Sequence, residues 1–260
     1  MAMFHAVRSR GARIWHAISF RDMENQVVAH ILNHSIMIGV HFAIVAVILF
    51  FFPGSTHFGL FDFWQSTGTL SQWLTAGIPI FVWAVAVNGW QCYKTYNSPM
   101  ENRHAERILR GGFLISLAAG VFEETLFRWV LFLAAIVGVQ VVNFIFFGFL
   151  GFGIPELIFN YILGPVANFF TLGYLDQYLS NPEIWFVGAG LISANSRFRD
   201  GHKYQGFLGW VNSWFLGMVF FYMTLTYGLV AAIVVHFLYD MIIFLVIYID
   251  MVIERAQGRR

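Results

Sequence analysis

The chain has 260 residues, 58% of them hydrophobic and 11% charged, with 15 Lys and Arg against 14 Asp and Glu. Thirty Phe and nine Trp are more apolar surface than a water-soluble domain of this size can carry, which excludes an ordinary soluble fold. A net charge of +1 leaves no electrostatic footprint for a nucleic-acid partner, and no basic stripe interleaved with aromatics occurs. The single cysteine, Cys92, excludes an internal disulfide and a thiolate metal cluster.

Runs of about 20 mostly apolar residues recur along the chain and predict an all-α, polytopic transmembrane helix bundle. Residues 1–27 form a basic amphipathic lead-in, with Arg8, Arg10, Arg13 and Arg21 set among Phe4, Ile14, Trp15 and Phe20. It reads equally as a segment lying in the headgroup region or as a cytoplasmic tail, and is too long and polar for a cleaved signal. A first span is predicted over 31–52, ending at Pro53-Gly54, and a second over 73–93. Further spans follow over 111–134, 137–155, 157–178, 182–198, 204–226 and 229–249, about eight in all. An even count puts the amino terminus, the 94–110 stretch, the Arg197/Arg199/Lys203 cluster and the 255–260 tail on one side. The Lys/Arg bias makes that side cytoplasmic, in a multi-pass protein of the cell membrane. No repeat, linker or low-complexity tract divides the chain, so residues 1–260 are expected to form a single membrane domain.

Three polar constellations interrupt the oil. The first is Phe122-Glu123-Glu124-Thr125-Leu126-Phe127-Arg128, flanked by apolar runs over 114–121 and 129–142. A charge at the bilayer centre costs about 2.5–3.5 kcal/mol on insertion scales, so three in six residues need a reason. On a helix, Glu124 and Arg128 share a face while Glu123 points roughly 100° away, so Arg128 neutralises Glu124 and Glu123 faces something else. The second constellation is Phe198-Arg199-Asp200-Gly201-His202, and the third is His236-Phe237-Leu238-Tyr239-Asp240 in the last span. Phe198 and His202, like His236 and Asp240, are four apart and share a helical face. Taken alone, a His–Asp pair reads as well as a packing hydrogen bond, and His202 reads as a solvated surface histidine.

A Glu-Glu-x-x-x-Arg run, then Phe-x-x-x-His, then His-x-x-x-Asp, in this order on separate membrane helices, resembles the CAAX prenyl protease and bacteriocin-processing (CPBP, or Abi) family of intramembrane proteases. The resemblance covers 111–244, and the run from Phe215 through Gly217 to Thr226-Tyr227-Gly228-Leu229 and His236 is similar to that family's approach to its last histidine. It implies an intramembrane endopeptidase in which Glu123 and His202 activate a water and His236 and Asp240 face the scissile carbonyl. Glu124, Arg128 and Phe198 would be supporting residues. The substrate it implies is a membrane-embedded or lipid-linked peptide. A buried base for water, an acid for the leaving amine and donors for the oxyanion are what peptide hydrolysis needs.

The sequence departs from that pattern twice. Arg199, Asp200 and Gly201 stand where small apolar residues are expected, which places His202 at a helix start near the cytoplasmic surface. Asp240 replaces the Asn of true prenyl proteases, so it must be protonated or must orient His236 instead.

The resemblance implies chemistry without a metal. Zinc held by Glu123, His202 and His236 stays an alternative, although the H-E-x-x-H spacing is absent. A rival reading rests on His30, His34 and His41, which fall within about 40° of one another on the first span and could ligate haem or a transition metal. A catalytically silent scaffold of the same fold is the third reading. Asn143, Glu156, Asn160, Asn168 and Asn212 read as interhelical hydrogen bonds or cavity lining, and Gly148, Gly151, Gly153, Gly188 and Gly190 as close-packing positions.

Overall fold

The computed structural model describes residues 20–95 and 105–257. The amphipathic lead-in over 1–19, the polar stretch 96–104 and the tail from 258 onward lie outside the described residues. Among those described, every regular element is helical and no strand occurs.

Helix α1 (Phe20–Phe51) stops at Pro53-Gly54, where Gly54 takes a positive φ of 87°. The following loop turns back over the bundle: Gln140 donates to Ser55 O at 2.7 Å, Trp129 Nε1 donates to Leu60 O, and Thr67 N donates to Tyr227 O at 2.9 Å. Helix α2 (Leu70–Thr95) opens on a capping box that is readable in the sequence as Thr69-x-x-Gln72. Thr69 N donates to Gln72 Oε1 at 2.7 Å, and Gln72 N donates to Thr69 Oγ1 at 3.4 Å.

Next comes one unbroken rod built of α3 (Ala105–Glu124), a π-helical turn (Thr125–Val130) and α4 (Leu131–Ile145). The predicted break between spans at 135–136 is absent. Nothing there stops a helix, and Gly190 on a neighbouring helix lets Ile136 pack against its backbone, so the rod is held by protein along that stretch. Its apolar portion, Leu109–Ile145, is 37 residues long. That is about 55 Å of helix against about 30 Å of hydrocarbon.

The predicted span over 157–178 is likewise not one straight helix. It consists of α5 (Ile154–Ile158), a π-helical turn (Phe159–Leu163), α6 (Gly164–Phe170), a reversal through Leu172 and Gly173 at positive φ, and α7 (Asp176–Leu179). Pro155 stands in the first turn of α5, where no donor is needed, Pro165 removes a donor at the end of the π-helical turn, and Asn168 staples the reversal by donating to Asp176 at 2.7 Å and Ser180 at 3.0 Å. Asn143 and Glu156 likewise bind each other across the α4–α5 junction.

Three helices complete the bundle: α8 (Trp185–Gly201), α9 (Gly206–Tyr227) and α10 (Leu229–Ala256). Helix α10 packs along α3 and α2, α8 packs along α4, and α9 lies between α8 and α10. Gly206 (φ 84°, ψ −176°) and Gly228 (φ 95°, ψ 166°) hold conformations open essentially to glycine alone, and so fix where α9 begins and ends.

Among the described residues, five helical stretches are long and apolar enough to cross a membrane: Val27–Phe51, Leu70–Cys92, Leu109–Ile145, Lys203–Tyr227 and Leu229–Ile253. The chain is therefore an all-helical integral membrane protein by the character of its helices. Large apolar side chains such as Phe50, Val82 and Phe169 stand on the outside, as lipid-facing residues do.

Candidate functional site

Glu123 lies about 21 Å along the helix axis from Leu109, within the apolar part of the rod. One turn earlier, Gly120 admits α10 to backbone contact. A Cβ there would sit 3.0 Å from Ile233 O and 3.3 Å from Phe237 N. This close approach sets the α3–α10 register and brings His236 onto Glu124, whose Oε1 accepts from His236 Nδ1 at 2.7 Å.

Arg128 answers Glu124 from within the π-helical turn, its Nε 3.2 Å from Oε2, and both side chains have no exposed surface. The guanidinium makes no conventional hydrogen bond in the protein. It is instead enclosed by rings, with Cζ 4.0 Å from the Phe198 centroid, 5.2 Å from Phe220 and 5.5 Å from Phe221. A planar, weakly hydrated cation suits such a cage better than an ammonium would. Phe198 is thus the ring that roofs the arginine. The π-helical turn is a feature met often at functional sites, because it re-aims side chains within a continuous helix.

His236 is sandwiched as firmly as Arg128. Its ring stacks on Phe220 at 4.5 Å and 15°, and meets Phe198 edge-on at 6.4 Å. Its Nε2 looks toward Asp240 Oδ2 at 3.8 Å, too long for a hydrogen bond. The carboxylate that orients His236 is therefore Glu124. Asp240, expected as a possible orienting group, stands on the other nitrogen.

Glu123 turns away from this pair, as the helical wheel requires. Its Oε1 lies 3.7 Å from His30 Nε2 on α1, and His34 stacks on His30 with ring centroids 3.9 Å apart. His202 and His236 are within electrostatic reach of the Glu123 carboxylate as well. Tyr204 lies within the same reach of Glu123 and Asp240, and nothing in its spacing announces it.

His202 sits at the carboxyl end of α8, on the cap that leads into the Lys203–Gln205 turn, and not at a helix start as the sequence suggested. Its Nδ1 donates to Phe198 O at 2.8 Å, which leaves the Nε2 lone pair free. The Arg199-Asp200-Gly201 insert has a structural reason. Asp200 accepts from Trp210 Nε1 at 2.9 Å and pairs with Arg199 at 2.8 Å and Lys203 at 2.9 Å, tying the end of α8 to the start of α9. The Trp210 indole, with Lys203 and Arg199 behind it, holds the Asp200 carboxyl down to about 2 despite slight opposing burial.

The structure thus gathers Glu123, Glu124, Arg128, Phe198, His202, His236 and Asp240 into one region of the bundle. It splits the histidine stripe of α1. His30 and His34 join Glu123, whereas His41 Nδ1 donates to Met37 O at 2.8 Å one turn back on its own helix. A three-histidine haem or metal stripe is not formed. The alternative zinc set of Glu123, His202 and His236 is not drawn into ligand range as a trio, and the group that is consists of His30, His34 and Glu123. A cavity of about 330 Å³ lies elsewhere, between Asn160, Asn168 and Ser180, and none of the site side chains lines it.

No protein-family model, curated protein or solved structure matches this chain.

Proposed function

We propose that this chain is an intramembrane endopeptidase of the CPBP kind, hydrolysing a peptide bond in a membrane-embedded or lipid-linked substrate. The observation that carries the reading is the Glu124–His236 bond. It joins the first and third motifs, 112 residues apart, inside a region that also gathers Glu123, His202 and Asp240. Charge kept in oil at this cost, and made to converge, fits a site that activates solvent.

The chemistry follows from the atoms. Glu124 pairs with Arg128 through one oxygen and accepts from His236 Nδ1 through the other at 2.7 Å, which leaves Nε2 facing the reaction. A water held between Glu123 and the lone pair of His202 Nε2 loses a proton to Glu123 as its oxygen attacks the carbonyl carbon. The carbonyl π pair moves to oxygen, and His236, protonated on both nitrogens, donates Nε2–H to that oxyanion. Glu124 and Asp240 balance the imidazolium charge. Collapse breaks the C–N bond, and Glu123 returns its proton to the leaving amine. The test compares Glu123→Gln with wild type on membrane-anchored peptides, with and without chelator. Loss of cleavage in the variant alone is expected, while unchanged cleavage discards the mechanism and loss on chelation discards its metal-free form.

We further propose six crossings, the five long helices and α8 up to Phe198, with the 154–180 segment folded back from one face. This keeps the even parity inferred from the eight predicted spans, with both termini and every basic cluster cytoplasmic. The Thr67–Tyr227 bond supports it, since it ties the 52–69 loop and the α9–α10 turn at one end of the bundle. Impermeant thiol labelling of cysteines placed at Ser66 and Lys203 in intact cells should mark only the first. The reverse pattern refutes the orientation.

A further inference from the structure

We infer that His30, His34 and Glu123 form a binding site for a divalent transition metal, one that shares Glu123 with the water-activating set and whose test does not depend on the hydrolytic reading. The two histidines are one turn apart on a single face of α1, the spacing by which a helix presents two imidazoles to one ion. Glu123 arrives from the neighbouring rod, and one ligand atom from each of the three lies within 4.8 Å of the others. Tetrahedral N/O ligands about 2.0–2.2 Å from zinc stand roughly 3.4 Å apart, so closure onto an ion asks for side-chain adjustments of about an ångström.

The electronic arrangement points the same way. His34 Nδ1 donates to His30 O at 2.9 Å, a backbone bond that fixes the tautomer and leaves Nε2 as the coordinating lone pair. His30 Nε2 is buried with no hydrogen-bond partner and faces the Glu123 oxygen at 3.7 Å. Two imidazoles and a carboxylate brought this close repel one another through their lone pairs unless a cation lies between them. A single proton satisfies only one of the contacts, whereas a metal satisfies all three. Two imidazoles and one carboxylate are the donor set of His₂Glu zinc sites and of related iron and cobalt sites, with at least one position open to water. His202 is within electrostatic reach of both His30 and Glu123.

The test uses the full-length protein in detergent, stripped by chelator and titrated with Co²⁺ while its visible d–d bands are recorded, then with Zn²⁺. One Co²⁺ per chain with a low-coordinate spectrum, displaced by Zn²⁺, is expected. His34→Ala should weaken binding by more than the roughly 10–100-fold typical of lost outer-shell partners, while His41→Ala leaves it unchanged. His34→Cys should restore binding and add a thiolate-to-cobalt charge-transfer band, which separates ligand loss from misfolding. No stoichiometric binding in wild type, binding that His34→Ala leaves intact, or no new band in His34→Cys overturns the site. None of these readouts requires hydrolysis, so failure here and failure of the peptidase reading are told apart.

Discussion

Replacing Arg128 by Met should cost about 3–5 kcal/mol of stability, the range seen when one partner of a buried ion pair is removed. Both members have no exposed surface and are 3.2 Å apart, so the variant strips Glu124 of its guanidinium with no water in its place and leaves it only the His236 Nδ1 contact. The aromatic cage adds to the loss, since a desolvated cation over a ring face contributes about 1–2 kcal/mol, and Phe198 lies 4.0 Å away. The loss thus falls toward the upper end of that range. A second substitution, Glu124→Gln, should return a good part of it, because it removes the stranded charge while its amide oxygen still accepts from His236 Nδ1. A coupling energy of about 2–3 kcal/mol between the two positions follows. Unfolding in mixed micelles titrated with a denaturing detergent, followed by tryptophan fluorescence, resolves such changes against a total of about 5–15 kcal/mol. An Arg128→Met cost below about 1 kcal/mol, or strict additivity of the two substitutions, refutes the argument. Glu124 would then not be anchored by Arg128, and its hold on His236 Nδ1 would need another source.

Gly120→Val should destabilise by about 1–3 kcal/mol and abolish cleavage, because its side chain meets the α10 backbone at 3.0 Å where His236 is set onto Glu124; thermal unfolding and peptide cleavage check it, and an active, stable variant contradicts it. Asp200 has a folded pKa near 2, below the usual unfolded carboxylate value of about 3.9, so its stabilisation is complete above that value and fades as pH falls through about 2. Hydrogen exchange over 198–206 should therefore rise between about pH 4 and 2 in wild type, while Asp200→Asn should show raised exchange already at neutral pH and little further change. If Glu123 serves both the metal and the water, added Zn²⁺ should depress cleavage and His34→Ala should blunt that inhibition; inhibition unchanged in the variant would place the inhibitory ion elsewhere.

The local features of this chain were legible because they are encoded locally. Pro53-Gly54 ends α1, and the spacing of Glu123, Glu124 and Arg128 divides the two carboxylates between opposite tasks. The span boundaries were less legible, because a window of about 20 apolar residues assumes that lipid sets helix length. The rod through 109–145 is longer because α8 covers part of it, and the 154–180 segment is broken because Pro165 and the Leu172-Gly173 reversal interrupt helix geometry within an apolar run.

Partner choice between helices was not legible at all. Spacing on α1 aligned His41 with His30 and His34, yet only the latter two reach Glu123, because a helical face says nothing about where a neighbouring rod crosses it. The same gap explains Asp240. Sequence spacing offered it as the group that orients His236, since it is the only carboxylate four residues away. The register fixed at Gly120 brings Glu124 to 2.7 Å and leaves Asp240 at 3.8 Å on the opposite nitrogen. One carboxylate therefore faces each nitrogen of the ring. The orienting role passes to Glu124, whose other oxygen is already held by Arg128, and Asp240 is left beside the far nitrogen.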